Sequence, residues 1–133
     1  MRYTPRPVDG EKEIPRILAL IQAGWDDFSP QTHYRVGDFC WRHREADYLE
    51  KVTLWEDIDG TLVAFSEKED DDSFEWQVHP HYWNAEIDTL ILEWGERQFS
   101  QAENGLPISP NTWIAENDSG LIKVLEQRGY VPT

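Results

Sequence analysis

The chain has 133 residues, seven of them tryptophan, and a formal net charge of −14. This length suits one domain spanning residues 1–133, and so many tryptophans exclude a disordered chain. The acidic surface repels phosphate backbones and argues against nucleic-acid binding. Cys40 is the only cysteine, so no intrachain disulfide can form, and no apolar run approaches the ~20 residues of a membrane span. Together these features favour a cytoplasmic protein.

The first third of the chain predicts one strand and two helical regions. Residues 3–8 form the strand, which Pro5 and Pro7 restrict to a sheet edge because neither can donate a ladder hydrogen bond. Residues 36–49 are expected to form the second helical region. Residues 11–24 are expected to form the first helix, since apolar side chains recur at helical spacing at Ile14, Ile17, Leu18, Ile21 and Trp25.

The middle of the chain predicts an antiparallel hairpin followed by a third strand. Residues 51–55 and 61–66 are joined through Asp59 and Gly60, a dipeptide typical of tight hairpin turns. The next strand is expected over residues 74–78. Alternation along a strand then places three apolar side chains on one face: Phe74, Trp76 and Val78.

The remaining elements complete an α/β pattern. A helix with one apolar stripe is expected through Ile87, Leu90, Ile91 and Trp94. A strand is expected over residues 112–115, and a last helix over residues 119–128 is closed by Gly129. The order β-α-α-β-β-β-α-β-α predicts a mixed sheet with helices on both faces.

The junction between the fourth of these strands and the helix that follows it carries the most specific motif. Residues 78–82 read Val-His-Pro-His-Tyr and run directly into the apolar-striped helix. A strand that ends in Val-His-Pro-x-Tyr before a helix resembles the acetyl-CoA segment of the GNAT acetyltransferase superfamily. Residues 54–65 resemble the second and third strands of that superfamily, and residues 115–118 with 125–130 resemble its last motif.

The resemblance implies a GNAT-like fold, acetyl-CoA as cofactor and acetyl transfer to an amine as the family activity. The family motif continues with Arg-Gly-x-Gly-x-Gly, whose backbone N–H groups hold the cofactor's diphosphate. In this sequence Trp83, Asn84, Glu86 and Asp88 stand at those four positions. The cofactor positions that the resemblance assigns are Val78, Tyr82, Trp83, Asn84, Ala85, Glu86, Ile87, Asp88 and Asn117.

These replacements predict a degenerate, non-catalytic cofactor site, so we assign no catalytic residue. Without glycines the backbone approaches a diphosphate less closely, and Glu86 and Asp88 place negative charge where a phosphate would lie. Leu125 stands where the family often has a tyrosine acid, and it has no proton to donate. A working acetyltransferase with an unusual cofactor loop remains an alternative.

Residues 36–42 also resemble a segment of tandem GNAT proteins, in which one of two domains is often degenerate. The chain stops where the superfamily's final strands normally begin. The resemblance therefore implies a fragment of a longer protein, or a partner that covers the exposed sheet edge: a second GNAT domain or another copy of the chain.

A second hypothesis is a binding module that recognises an amine or a protein through an acidic, tryptophan-rich face. Residues 69–96 contain no Lys or Arg, and acidic aromatic pockets favour cations. The alternative for the same tryptophans is an aromatic core. Those that cluster along the chain near the junction are Trp76, Trp83, Trp94 and Trp113.

Other chemistry has weaker signals, and we predict no metal site. His79 and His81 lie two residues apart and could hold Zn²⁺ together with Glu75 or Glu86, but Pro80 ends the strand between them and favours ordinary packing. Asp70, Asp71 and Asp72 lack the spacing of an EF-hand loop. Cys40 with His43 and Asp38 resembles a thiol nucleophile only superficially, because cysteine is usually a small buried apolar residue.

Overall fold

A computed structural model describes residues 2–27, 48–68, 73–98, 111–112 and 119–131. The described strands are β1 (Tyr3–Pro7), β2 (Val52–Asp57), β3 (Leu62–Lys68), β4 (Ser73–Val78) and β5 (Asn111–Thr112). The described α-helices are α1 (Ile14–Asp26), α2 (Ala85–Gln98) and α3 (Ser119–Gln127). Short 3-10 turns at Glu11–Glu13 and Tyr48–Lys51 precede α1 and β2.

The strands form one mixed sheet in the order β1-β2-β3-β4-β5. The first four strands are antiparallel, and β5 pairs parallel to β4. The mixed sheet predicted from the sequence is therefore confirmed. At one end of this order lies β1, which fits the two prolines in that strand.

The hairpin between β2 and β3 follows the turn chemistry of its sequence. Gly60 has a φ of 81°, a left-handed conformation that a side chain would disfavour. The Asp57 carboxylate accepts the backbone N–H groups of Asp59 at 2.9 Å and Thr61 at 3.0 Å. Asp57 thus holds the turn from inside, and the predicted hairpin is confirmed.

Helices cover both faces of the sheet, as the sequence predicts. On one face α1 packs on buried side chains of β2 and β3, in a core made of Ile17, Leu20, Ile21, Tyr48, Val52, Leu54, Leu62 and Phe65. On the other face α2 and α3 pack on a second core, made of Tyr3, Trp55, Val63, Ala64, Phe74, Trp76, Val78, Ile87, Ile91, Leu92, Leu121 and Leu125.

Two glycines fit the local geometry of the last two helices, one within α2 and one just after α3. Gly95 of α2 lies against the ring of Phe74, and an added Cβ would come within 2.5 Å of that ring. Gly129 ends α3 with a φ of 87°. The N–H groups of Gly129 and Tyr130 then donate to the carbonyls of Glu126 and Leu125, the paired bonds of a Schellman motif. The predicted C′ glycine is confirmed.

Some predicted elements fall partly or wholly outside the described residues. Of the second helical region, residues 36–47 lie outside them, and residues 48–49 belong to a 3-10 turn. Of the strand at 112–115, only Thr112 is described, as the end of β5. Within the described ranges no helix is long and apolar enough to cross a membrane.

Candidate functional site

The site positions assigned from the sequence gather where β4 meets α2. Val78 ends β4 inside the second core, paired with Ala64 of β3. The His79 N–H donates to the Val63 carbonyl at 2.8 Å, so sheet pairing continues one residue past the strand. This pairing fixes the point at which the chain leaves the sheet and enters the turn.

A compact turn over residues 79–82 leads to the helix. The Tyr82 N–H donates to the His79 carbonyl at 3.0 Å, and the His81 N–H donates to His79 Nδ1 at 3.2 Å. The His81 ring also lies 2.9 Å, Nε2 to Oδ2, from Asp27 at the end of α1. Burial, followed by the neighbouring His81, lowers the pKa of His79 below its ordinary 6.5. The Tyr82 side chain is 40% exposed.

Asn84 is the N-cap of α2. Its Oδ1 accepts the backbone N–H of Ile87 at 2.9 Å, the bond expected between an N-cap and the third helical residue. Its Nδ2 donates to the Tyr3 hydroxyl at 3.0 Å, which ties the cap to β1. The amide therefore satisfies one of the free N–H groups of the helix start and is itself held in place.

The two acidic residues of the first helical turns have different surroundings. Glu86 is exposed and faces Arg2, with 3.4 Å between Oε2 and Nη1. Asp88 is 1% exposed, and its two oxygens accept the indole N–H groups of Trp76 at 2.9 Å and Trp83 at 2.7 Å. The expectation that both carboxylates face the phosphate position is wrong for Asp88, because the two indoles hold it inside the core.

The remaining assigned positions contribute backbone or packing. Ala85 begins α2, and Ile87 is fully buried in the second core. Leu125 is buried in the same core, and Asn117 lies outside the described residues. The structure thus brings all the assigned positions from Val78 to Asp88 to one junction.

A second group of buried polar side chains was missed by the sequence reasoning. Glu67 and Glu75 are register partners across β3 and β4, and both are buried, as is Gln77. Because Phe74, Trp76 and Val78 face the second core, the alternate residues Glu75 and Gln77 face the α1 side. The Tyr48 hydroxyl donates to Glu67 there. The period of two was visible in the sequence, but the burial of this face depends on what covers the sheet.

The tryptophans near the junction divide between packing and hydrogen bonding. Trp76 is buried and stacks on Phe74, while Trp83 and Trp94 are half-buried against the second core. Trp113 lies outside the described residues, as do Cys40, His43, Asp38 and residues 70–72. Within the ranges that are described, no group of three or more His, Cys, Asp or Glu side chains is arranged to hold a metal ion.

Solved structures with a similar fold include N-acetyltransferases. A GCN5-related N-acetyltransferase from Sphaerobacter thermophilus has a TM-score of 0.74 and 19% identity, over 98% of this chain and 44% of that one. A spermidine N-acetyltransferase from Vibrio cholerae, in complex with CoA and spermine, has a TM-score of 0.60 and 13% identity, over 99% of this chain and 82% of that one. The yncA structure from Salmonella typhimurium, with its cofactor acetyl-CoA, has a TM-score of 0.63 and 14% identity, over 100% of this chain and 82% of that one.

The chain has the GNAT fold. Neither a protein-family model nor a curated protein matches its sequence. The chain spans less than half the length of the Sphaerobacter structure, and about four-fifths of the other two.

The start of α2 differs from the helix N-termini that bind phosphate. A helix N-terminus binds phosphate through free N–H groups and its positive dipole. Here Asn84 already accepts the Ile87 N–H, and Glu86 presents an exposed carboxylate at the same turn. Every residue from Val78 to Asp88 carries a side chain, so the backbone has no glycine through which to approach a ligand closely.

Proposed function

We propose that this GNAT-fold domain belongs to the GNAT N-acetyltransferase superfamily but does not bind acetyl-CoA at the β4–α2 junction. It acts as a non-catalytic half of a larger cytoplasmic acetyltransferase, in assembly or in shaping the substrate cleft. The single observation that carries the proposal is the bond from the Ile87 N–H to Asn84, which uses a donor that the cofactor would need.

The energetic argument concerns the contacts that a diphosphate would lose. A hydrogen bond to a charged group contributes about 1.5–3 kcal/mol, so losing the Ile87 donor alone corresponds to roughly tenfold to a hundredfold in affinity. Glu86 adds repulsion, since its carboxylate is exposed and its Arg2 partner is an exposed surface side chain that screens it weakly. Together with the missing glycines, these effects should weaken a micromolar affinity towards the millimolar range.

The proposed partner is a second GNAT domain in the same protein or another copy of this chain. The Sphaerobacter structure is more than twice the length that this chain covers, which fits a protein with two such halves. A partner that covers a sheet edge would also protect its unpaired backbone groups.

Isothermal titration with acetyl-CoA up to about 1 mM tests the proposal. We expect no saturable binding, while the Vibrio spermidine N-acetyltransferase serves as a positive control for the ligand. Saturable micromolar binding by the wild-type chain would refute the proposal. A Glu86→Gln variant separates charge from geometry: if Asn84 and the missing glycines are decisive, this variant also fails to bind.

A second candidate function is amine binding without catalysis. The net charge of −14 favours a cationic ligand, and we assign it to Glu67 and Glu75, register partners on the α1 face with the Tyr48 hydroxyl bonded to Glu67. The Vibrio structure contains spermine, so a polyamine is the natural probe. Spermine titration should then show binding that Glu75→Gln weakens and Glu86→Gln leaves unchanged, with near-UV circular dichroism confirming that both variants are folded.

A further inference from the structure

The turn over residues 79–82 contains a side chain whose hydrogen bond depends on its protonation state. His79 Nδ1 accepts the backbone N–H of His81 at 3.2 Å. An imidazole nitrogen accepts a hydrogen bond only when it carries no proton, so this turn requires neutral His79 with its proton on Nε2. The second bond of the turn, from the Tyr82 N–H to the His79 carbonyl, has no such requirement.

The surroundings of His79 disfavour its protonation on balance while the turn is hydrogen-bonded, which we call the closed turn. The His81 ring lies 5.1 Å from the His79 ring, centroid to centroid, and the Tyr82 ring lies at the same distance. The end of α1 contributes Asp27, whose carboxylate contacts His81 directly and attracts a charge on His79 from farther away. Protonated His79 would lose its acceptor and could no longer hold the His81 N–H.

We propose that the 79–82 turn is an acid-sensitive switch, in which a proton on His79 Nδ1 breaks the bond to the His81 N–H and opens the entry to α2. The His81 ring contacts the Asp27 carboxylate through Nε2, so it stays attached to α1 while the His79 side of the turn opens. The opening loosens Tyr82 and Trp83, the residues that lead into the N-cap.

The sign of the pH dependence follows from burial. Because the folded chain disfavours a charged His79, the closed turn is fully populated above the ordinary histidine value of 6.5 and is lost as the pH falls below it. The accessible window ends near the isoelectric point of about 4.5, where an acidic protein loses solubility.

Amide hydrogen exchange between pH 7.5 and 5.0, corrected for the intrinsic exchange rate, tests the switch in the full chain. We expect protection of the His81 and Tyr82 amides to fall about threefold to tenfold, the loss of roughly one hydrogen bond. The Ile87 amide is the internal reference, since its acceptor, Asn84, does not titrate. Long-range ¹⁵N spectra should show His79 with its proton on Nε2 at pH 7.5.

Two variants assign the effect to His79. His79→Asn places Oδ1 at the position of Nδ1, so it keeps an acceptor and removes the titration. This variant should hold His81 and Tyr82 protected at pH 5.0, whereas His81→Gln should keep the wild-type loss. Unchanged protection in the wild type, or a loss that persists in His79→Asn, would overturn the proposal.

Discussion

Replacing Asp88 by alanine tests whether the junction depends on its buried carboxylate. The change removes the acceptor of two indole N–H groups, those of Trp76 and Trp83. A buried donor without a partner costs about 1–3 kcal/mol, and the buried Trp76 should approach the upper part of that range. Trp83 is half-buried and can reach water, so its donor should lie near the lower end.

Two further energy terms contribute to the stability change that Asp88→Ala causes. The helix start loses a favourable negative charge, which is about 0.3–1 kcal/mol. In the other direction, removing a buried charge relieves its desolvation penalty and offsets part of the loss. We therefore expect Asp88→Ala to lower the free energy of unfolding by about 2–4 kcal/mol. Urea unfolding followed by far-ultraviolet circular dichroism measures it, and Glu86→Ala is the matched control, expected to change the value by less than about 0.5 kcal/mol.

A double-mutant cycle separates the hydrogen bond from general packing. Trp76→Phe keeps an aromatic ring and removes the N–H, so it should destabilise the wild type by about 1.5–3 kcal/mol. In the Asp88→Ala background the same change should have little effect, because the indole has already lost its acceptor. If the two changes add to within about 0.5 kcal/mol, the two groups are not coupled and the reasoning is wrong.

Three further changes test packing, charge and backbone conformation by the same unfolding measurement. Gly95→Ala places a methyl group 2.5 Å from the Phe74 ring and should cost about 1–3 kcal/mol, so an unchanged free energy of unfolding would contradict the close approach. Arg6 lowers the pKa of Glu13 from 4.5 to about 2. Glu13→Gln should therefore lower the free energy of unfolding by about 1–2 kcal/mol at pH 7, and by progressively less as the pH falls from 5 towards 2. A loss that stays constant with pH would contradict the pairing of Arg6 with Glu13. Gly129→Ala should lower the free energy of unfolding by about 1 kcal/mol, because Gly129 has a left-handed φ of 87°. Gly129→Asn should lower it by less, since Asn tolerates that conformation better than Ala. Equal losses for the two variants would point to another cause.

The arrangement of elements could be predicted because local signals and tertiary packing agree. Phe74, Trp76 and Val78 alternate along the sequence and all face the second core, as a period of two requires. Gly60 and Gly129 have positive φ at turns that their neighbours predict. Each of these signals depends on a few adjacent residues, so it can be interpreted without knowing how the rest of the chain folds.

The site was harder to predict because its contacts join distant residues. Asn84 was interpreted only as a replaced glycine, although an Asn directly before an apolar-periodic run is also an N-cap signal. Asp88 lies three and four residues before Ile91 and Leu92, which are both buried, so helical spacing placed it on the core side. A charged residue on that side needs a partner, and no spacing rule identifies indoles that are five and twelve residues away.

The contacts at the junction explain how a GNAT fold can keep its shape with such residues at the start of α2. A bound ligand stabilises a fold by an amount that grows with the logarithm of its concentration relative to the dissociation constant, so a junction that relied on it would loosen when the ligand is scarce. In this chain Asn84 joins the helix start to Tyr3 of β1, and Asp88 joins the first turns to Trp76 of β4. These bonds are intramolecular, so they hold the junction at any ligand concentration. Selection for the shape of the domain can therefore act on these residues without requiring a ligand.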